Sequence, residues 1–186
     1  MTIQETNLKD CYIIEPTVFG DERGCFFESF NQRTFEKETG LSANFVQDNR
    51  SKSSFGVLRG LHLQLGEFAQ AKLVSVLSGE VLDVAVDLRE QSPTYGQHIA
   101  VKLSGENKKQ MFIPRGFAHG FVVLSESAEF FYKCDNFYAP QAESGIIFND
   151  PQLNIDWGLD ESKLTISEKD QKLPTLDTYL KTVSQL

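Results

Sequence analysis

Basic charge is scarce in this sequence. Its 18 lysines and arginines stand against 26 aspartates and glutamates, a formal net charge of -8. A general nucleic-acid or anionic-membrane binder would be basic over a broad face, so both activities are disfavoured. A small anion held by a few arginines and lysines is still compatible with this balance. Long apolar runs are also missing. No stretch approaches the length of a membrane span, and the opening "MTIQETNLKD" has no apolar core of signal-peptide length. Cysteine is sparse: Cys11, Cys25 and Cys134 lie far apart with no CxxC. Such spacing fits reduced thiols in the cytoplasm better than a disulfide framework, and each thiol reads as packing. Internal repeats, low-complexity tracts and linkers are absent, so residues 1–186 are expected to form one domain.

What is present suits a soluble globular chain with a substantial core. Apolar residues make up 40% and charged residues 24%, and fifteen phenylalanines against a single tryptophan imply a phenylalanine-rich interior. "RTFEKETG", Arg33 to Gly40, reads as a short helix stopped by its glycine. From about Asn44 to Cys134 the chain becomes a series of apolar runs of strand length broken by turns. "AKLVSVL" meets Ser78-Gly79, then "EVLDVAVDL", where Asp83 and Asp87 belong to a partial period-2 pattern. "QHIAVKL", "MFIPRGFAHGFVVLS" and "AEFFYKC" follow at near-regular spacing, which predicts a sandwich or barrel rather than alternating strands and helices. In the tail, "SEKD" reads as a helix start with Ser167 as its cap.

Three histidines are available for chemistry. His62 in "RGLHLQ" and His119 in "PRGFAHGF" fall on separate predicted strands, whereas His98 follows a turn and reads as a surface residue. A hydrogen-bonded core histidine is the plain alternative for His62. Arg59 sharpens the question, because an unpaired arginine inside an apolar strand is costly unless it faces a pocket, a partner or a carboxylate. An offset of three along a strand places Arg59 and His62 on opposite faces. Both can face one pocket only if the strand bulges, and Gly60 between them is the expected irregularity.

"GVLRGLHLQ" followed about fifty residues later by "PRGFAHGF" resembles the two motifs of the cupin fold. Cupins commonly use histidines and a glutamate from these motifs to bind a metal. Here Gln64 stands where a second histidine would be, and Lys72 follows nearby along with Glu67. A lysine and an arginine beside two histidines disfavour a dication and favour an anion, so no metal ligand is assigned.

Over about residues 10 to 175 the chain closely resembles the dTDP-4-dehydrorhamnose 3,5-epimerase family of metal-free cupin enzymes. The resemblance rests on "DERGCFFESF", "FVQDNRSKSSFGVLRGLHLQ", "AQAKLVSVLSGEVLDVAVDLR", "SPTYG", "FIPRGFAHGF", "YKCDNFYAPQAESGI", "NDPQLNIDW" and "SEKD", all in order. It implies an all-β, cupin-type jelly-roll barrel with short peripheral helices, and a cytoplasmic isomerase without cofactor. The implied reaction converts dTDP-4-dehydro-6-deoxy-D-glucose to dTDP-4-dehydro-L-rhamnose by inversion at C3 and C5. The implied roles are His62 as base paired with Asp170, Lys72 at the enolate, and Tyr132 as the acid on the opposite face. Arg59 would meet the diphosphate, Tyr138 would stack on the thymine, and His119 would contact substrate. Arg23, Glu28, Gln47, Asp48, Asn49, Glu143 and Lys169 would line the nucleotide and sugar site. The resemblance further implies a homodimer whose N-terminal segment crosses to the partner subunit, so that Arg23 and Glu28 act across it.

Read as bare residues, these positions keep simpler alternatives. Asp170 completes a capping box with Ser167, Tyr132 continues the aromatic run of Phe130 and Phe131, and Arg23 and Glu28 belong to a turn and a solvated strand face. Leu63, Phe148 and Gly158 depart from the family's usual residues, as does the segment "LGEFAQ". These positions bear on pocket walls and packing. Three rival functions are weighed: a single-position epimerase of a related sugar, a metal-dependent cupin oxygenase or isomerase using His62 and His119, and a sugar-nucleotide-binding module with a decayed site. Gln64 and Lys72 argue against the metal enzyme.

Overall fold

The computed structural model describes residues 1–183. Its strands in chain order are β1 (Thr2–Glu5), β2 (Tyr12–Glu15), β3 (Phe19–Asp21), β4 (Gly24–Phe26), β5 (Gln47–Ser54), β6 (Val57–Gln64) and β7 (Lys72–Ser78). Then come β8 (Glu80–Asp87), β9 (His98–Ser104), β10 (Gln110–Ile113), β11 (Phe117–Val123), β12 (Ser127–Cys134), β13 (Glu143–Gly145) and β14 (Thr165–Ile166). One six-stranded sheet has the order β1-β2-β10-β7-β12-β5. The facing sheet runs β13-β6-β11-β8-β9, with β14 also alongside β6. β3 and β4 form a separate hairpin. The expected jelly roll is present as two facing sheets that do not close into one continuous barrel. Among the described residues no helix is long and apolar enough to cross a membrane.

Period-2 alternation sends side chains from both sheets into the space between them. Val74 and Val76 of β7, Phe130 of β12, Ala85 of β8 and Phe121 of β11 meet there in one buried cluster. Phe121 and Phe130 stack with ring centroids 4.2 Å apart. Burying a phenylalanine of this kind contributes on the order of 2 kcal/mol. The outer face of the second sheet is covered by the C-terminal segment, which packs Trp157, Leu176 and Tyr179 against Leu58, Leu61 and Leu63. The outer face of the first sheet is covered at one end by α1 (Gln32–Thr39) through its buried Phe35. Asn31 caps α1, and Gly40 ends it in the left-handed region at φ 72°.

One local feature meets the expectation from the sequence and one departs from it. The predicted irregularity is found at Gly60. His119 pairs with His62 and Phe121 with Arg59, so two residues of β6, Gly60 and Leu61, oppose the single Gly120 of β11. Gly60 has φ +125°, and a Cβ there would lie 2.5 Å from the Gly120 backbone, so only glycine fits. The "SEKD" segment does not start a helix. Ser167 Oγ accepts from the Asp170 amide at 3.1 Å, as a cap would, but only one 3-10 turn, Asp170–Lys172, follows. Pro174 disfavours helical geometry at Leu173, and a helix, α2 (Leu176–Val183), begins only beyond it.

Candidate active site

Two adjoining cavities of about 660 and 300 Å³ open between the sheets. They share Asn49, His62, Lys72 and Tyr132 as walls. The extra residue in β6 returns Arg59 to the same side as His62, so both line the larger cavity. Arg59 Nε donates to Ser53 Oγ at 3.2 Å, and no carboxylate neutralises it in that contact. His119, Lys169 and Asp170 complete the chemistry-bearing wall of this cavity. Gln47, Tyr138 and Glu143 face the smaller one.

His62 Nε2 lies 2.8 Å from Asp170 Oδ1, and the amide of Gly60 donates to Asp170 Oδ2 at 3.2 Å. With Asp170 ionised, Nε2 carries the ring proton and Nδ1 keeps its lone pair. The His62 side chain is 30% exposed and Asp170 only 6%, so the carboxylate is enclosed while the ring can be reached from the cavity.

A second histidine–aspartate pair lies directly beside the first. His119 Nε2 is 2.9 Å from Asp83 Oδ1, and the two histidines are cross-strand partners. Both members of this pair are buried, and Asp83 Oδ2 has no hydrogen-bond partner among the described residues. Burial pushes the Asp83 carboxyl up, against the pull of His119 and Lys72. Burial likewise holds His119 below the usual histidine value, against the pull of Asp83. The sequence pattern marks Asp83 only as a polar step in β8. Its alternation with Val81 and Ala85 was the available signal, because those neighbours face the interior.

Lys72 and Tyr132 are held apart from the histidines on the first sheet, where Val74 opposes Tyr132 and Lys72 opposes Cys134. Burial lowers the Lys72 pKa, with Cys134, Asp83 and Glu143 pulling the other way. Burial raises the Tyr132 pKa, reinforced by Cys134 and opposed by Arg59. A raised phenol stays protonated at neutral pH and can donate. At the mouth, Glu143 Oε2 accepts from Tyr138 Oη and from Lys169 Nζ, each at 2.7 Å. Burial works to raise Glu143, but these two bonds bring it below the usual carboxylate value.

Three predicted site residues are not brought to these cavities within one chain. Asp48 is exposed and pairs with Lys133 at 2.7 Å. Adjacent strand residues point to opposite faces, so Gln47 and Asn49 can enter the site only if Asp48 points away. Arg23 sits at the tip of the β3–β4 hairpin, paired with Asp21. Glu28 accepts from Asn31 Nδ2 at 3.1 Å, next to α1. His98, read as a surface residue, is half-buried at the start of β9, and burial lowers its pKa. Among the described residues no three histidine, cysteine, aspartate or glutamate side chains converge as a metal-binding group. Gln64 turns its amide towards the carbonyls of Phe68 and Phe137.

The family model for dTDP-4-dehydrorhamnose 3,5-epimerase matches residues 5–178. The chain is 55% identical to the dTDP-4-dehydrorhamnose 3,5-epimerase of Salmonella typhimurium, over 98% of this chain and 99% of that protein. It is similar to the crystal structure of dTDP-4-dehydrorhamnose 3,5-epimerase from Elizabethkingia anophelis, with 61% identity and a TM-score of 0.93 over 96% of this chain and 97% of the other. It also resembles the Legionella pneumophila dTDP-6-deoxy-D-glucose-3,5-epimerase solved with dTDP-4-keto-L-rhamnose. There the identity is 53% and the TM-score 0.90, over 95% and 93% of the two chains.

Proposed function

The chain belongs to the dTDP-4-dehydrorhamnose 3,5-epimerase family, and from that premise we propose how its own residues invert C3 and C5 of a dTDP-4-keto-6-deoxy sugar. The reading takes dTDP-4-dehydro-6-deoxy-D-glucose to dTDP-4-dehydro-L-rhamnose. The observation that carries it is a single cavity in which the His62–Asp170 pair is joined by Lys72 and Tyr132.

The C4 ketone makes the protons on both neighbouring carbons acidic. His62 Nδ1 removes one of them, and Asp170 stabilises the imidazolium that forms. The electron pair moves to the ketone oxygen, where the Lys72 ammonium meets the developing enolate charge. Tyr132 then donates its phenolic proton to the same carbon from the other face. Solvent takes the proton from His62 and replaces the one lost by Tyr132. The carbon is inverted, and the two steps at C3 and C5 use the same groups. Arg59 and Lys169 meet the diphosphate, for which a guanidinium fork and an ammonium are suited. His119, Gln47, Asn49, Tyr138 and Glu143 shape the sugar and nucleobase walls.

The hairpin gives Arg23 and Glu28 a place in the same scheme. Phe19 and Phe26 are 65% and 71% exposed on it, more apolar surface than a lone hairpin normally shows to water. In a homodimer the hairpin and the residues just after it cross to the neighbouring subunit, cover these rings and deliver Arg23 and Glu28 to the neighbour's cavity. Three free cysteines, two of them buried, fit a reducing cytoplasm.

The test is to supply dTDP-4-dehydro-6-deoxy-D-glucose to the purified protein and follow the sugar ring by NMR. Product inverted at both C3 and C5 supports the reading. Inversion at one carbon alone keeps the proton-transfer scheme and narrows the activity to a single epimerase. No conversion would overturn it.

A further inference from the structure

Gln64 is a buried carboxamide that the epimerisation scheme leaves unused. It lies on the wall of the smaller cavity and is only 6% exposed. Its Nε2 donates to the Phe68 carbonyl at 2.7 Å and to the Phe137 carbonyl at 3.1 Å. Its Oε1 accepts from the Ala139 amide at 2.7 Å. Three bonds therefore tie the end of β6 to the turn at 66–68 and to the segment 137–139. Other amides hold the same segment. Gln70 Nε2 donates to the Asn136 carbonyl at 2.8 Å, and Gln47 Oε1 accepts from the Tyr138 amide at 2.9 Å. Asn136 Nδ2 reaches the Glu67 carbonyl at 2.9 Å. On this braced backbone stand Phe137 and Tyr138, 65% and 53% exposed.

A rigid backbone carrying exposed rings beside a cavity is an unusual use of four side-chain amides. Rings packed in a core are fixed by their neighbours, whereas these exposed rings rely on the backbone beneath them and, for Tyr138, on its hydroxyl bond to Glu143. We infer that Gln64 is a positioning residue that holds the 137–139 segment so that Tyr138 presents a preformed face to the nucleobase. The inference rests on the reading of the substrate as a dTDP-sugar. A preformed ring spares the cost of ordering the segment when ligand arrives, so Gln64 acts on binding and not on proton transfer. The carboxamide is needed in both halves. A glutamate of the same shape would set a carboxylate oxygen against two carbonyls, where Nε2 now donates.

The experiment measures dTDP affinity by calorimetry, together with kcat and KM for the sugar nucleotide. The proteins are wild type, Gln64→Glu, Tyr138→Ala and the double variant. Gln64→Glu should weaken dTDP binding and raise KM by about tenfold, with kcat within about twofold, as loss of preorganisation predicts. In the Tyr138→Ala background the same change should add less than about twofold, because coupled residues do not add. Wild-type affinity in Gln64→Glu, or penalties that multiply in full, would overturn the inference. Should Gln64→Glu fail to fold, Gln70→Leu removes one brace of the same segment. It should weaken dTDP binding by about twofold to threefold at unchanged kcat, a partial loss of the same ordering, and unchanged affinity would overturn the inference. A wild-type protein that does not bind dTDP would overturn the substrate reading and this inference with it. Tight wild-type binding with unaffected variants would overturn the inference alone.

Discussion

Two histidine–aspartate pairs stand side by side between the sheets, with nearly equal spacing: 2.8 Å for His62–Asp170 and 2.9 Å for His119–Asp83. Their surroundings differ. Asp170 has both oxygens engaged, the second by the Gly60 amide, whereas Asp83 has one oxygen with no partner among the described residues. His62 is 30% exposed to the cavity and His119 is 7% exposed. A base must be reached by substrate and must return its proton to solvent. The pair at the mouth meets both conditions, and the enclosed pair is suited to fixing a wall. Hydrogen-bond geometry alone therefore does not select a base. Access and the second contact of the carboxylate do.

Breaking the mouth pair should have the largest effect. His62→Ala should lower kcat for inversion at both carbons by at least about a thousandfold while dTDP binding persists, the scale expected when a general base is removed. Asp170→Asn keeps the shape but loses the charge and favours the wrong ring tautomer, so a loss of about a hundredfold or more is expected in kcat. The geometry that separates the pairs can be broken at Gly60. In Gly60→Ala the new Cβ would meet the Gly120 and His119 backbone at 2.5 and 2.9 Å, at φ +125°. Denaturant titration should show a loss of about 2 kcal/mol or more. Asp83→Asn sharpens the contrast from the other side, with a kcat loss below about tenfold for a group that only supports the wall.

The smallest effect concerns pH. Burial lowers the folded pKa of His119 from 6.5, so the unfolded chain binds a proton that the folded chain refuses. Stability contributed by this histidine is present above that pH and is lost as pH falls through it. Asp83 acts in the opposite direction, because burial raises its folded pKa from 3.8 and protonation relieves a buried charge as pH falls. Thermal unfolding of His119→Asn between pH 7 and pH 5 should show a shallower decline than the wild-type protein.

Much of this arrangement was legible in the chain. The strands from β6 to β12 announce themselves as apolar runs closed by turns, and α1 by its terminal glycine, whereas β5 is polar along its whole length. The Gly60 bulge followed from one conflict, since an arginine and a histidine three apart cannot share a strand face without it. Other features were hidden for physical reasons. β1, β3 and β4 are short and mostly exposed, and β2 is only four residues long, so none of them gives a readable period. Asp83 was visible as a polar step on the face of Val81 and Ala85, but alternation does not say that His119 lies across it. Asp48 was grouped with Gln47 and Asn49 by a shared motif, although adjacent strand residues face opposite ways. The bracing role of Gln64 depends on contacts with residues four to seventy-five positions away, which spacing cannot reveal.

The claim that the mouth pair supplies the base is tested most directly by deuterium exchange. The sugar nucleotide is followed by NMR in D2O with chelator-treated wild-type, His62→Asn and Asp83→Asn proteins. Deuterium should enter at C3 and C5 with the wild type and with Asp83→Asn, and not with His62→Asn. Exchange that survives in His62→Asn and vanishes in Asp83→Asn would assign the base to the buried pair and contradict the account.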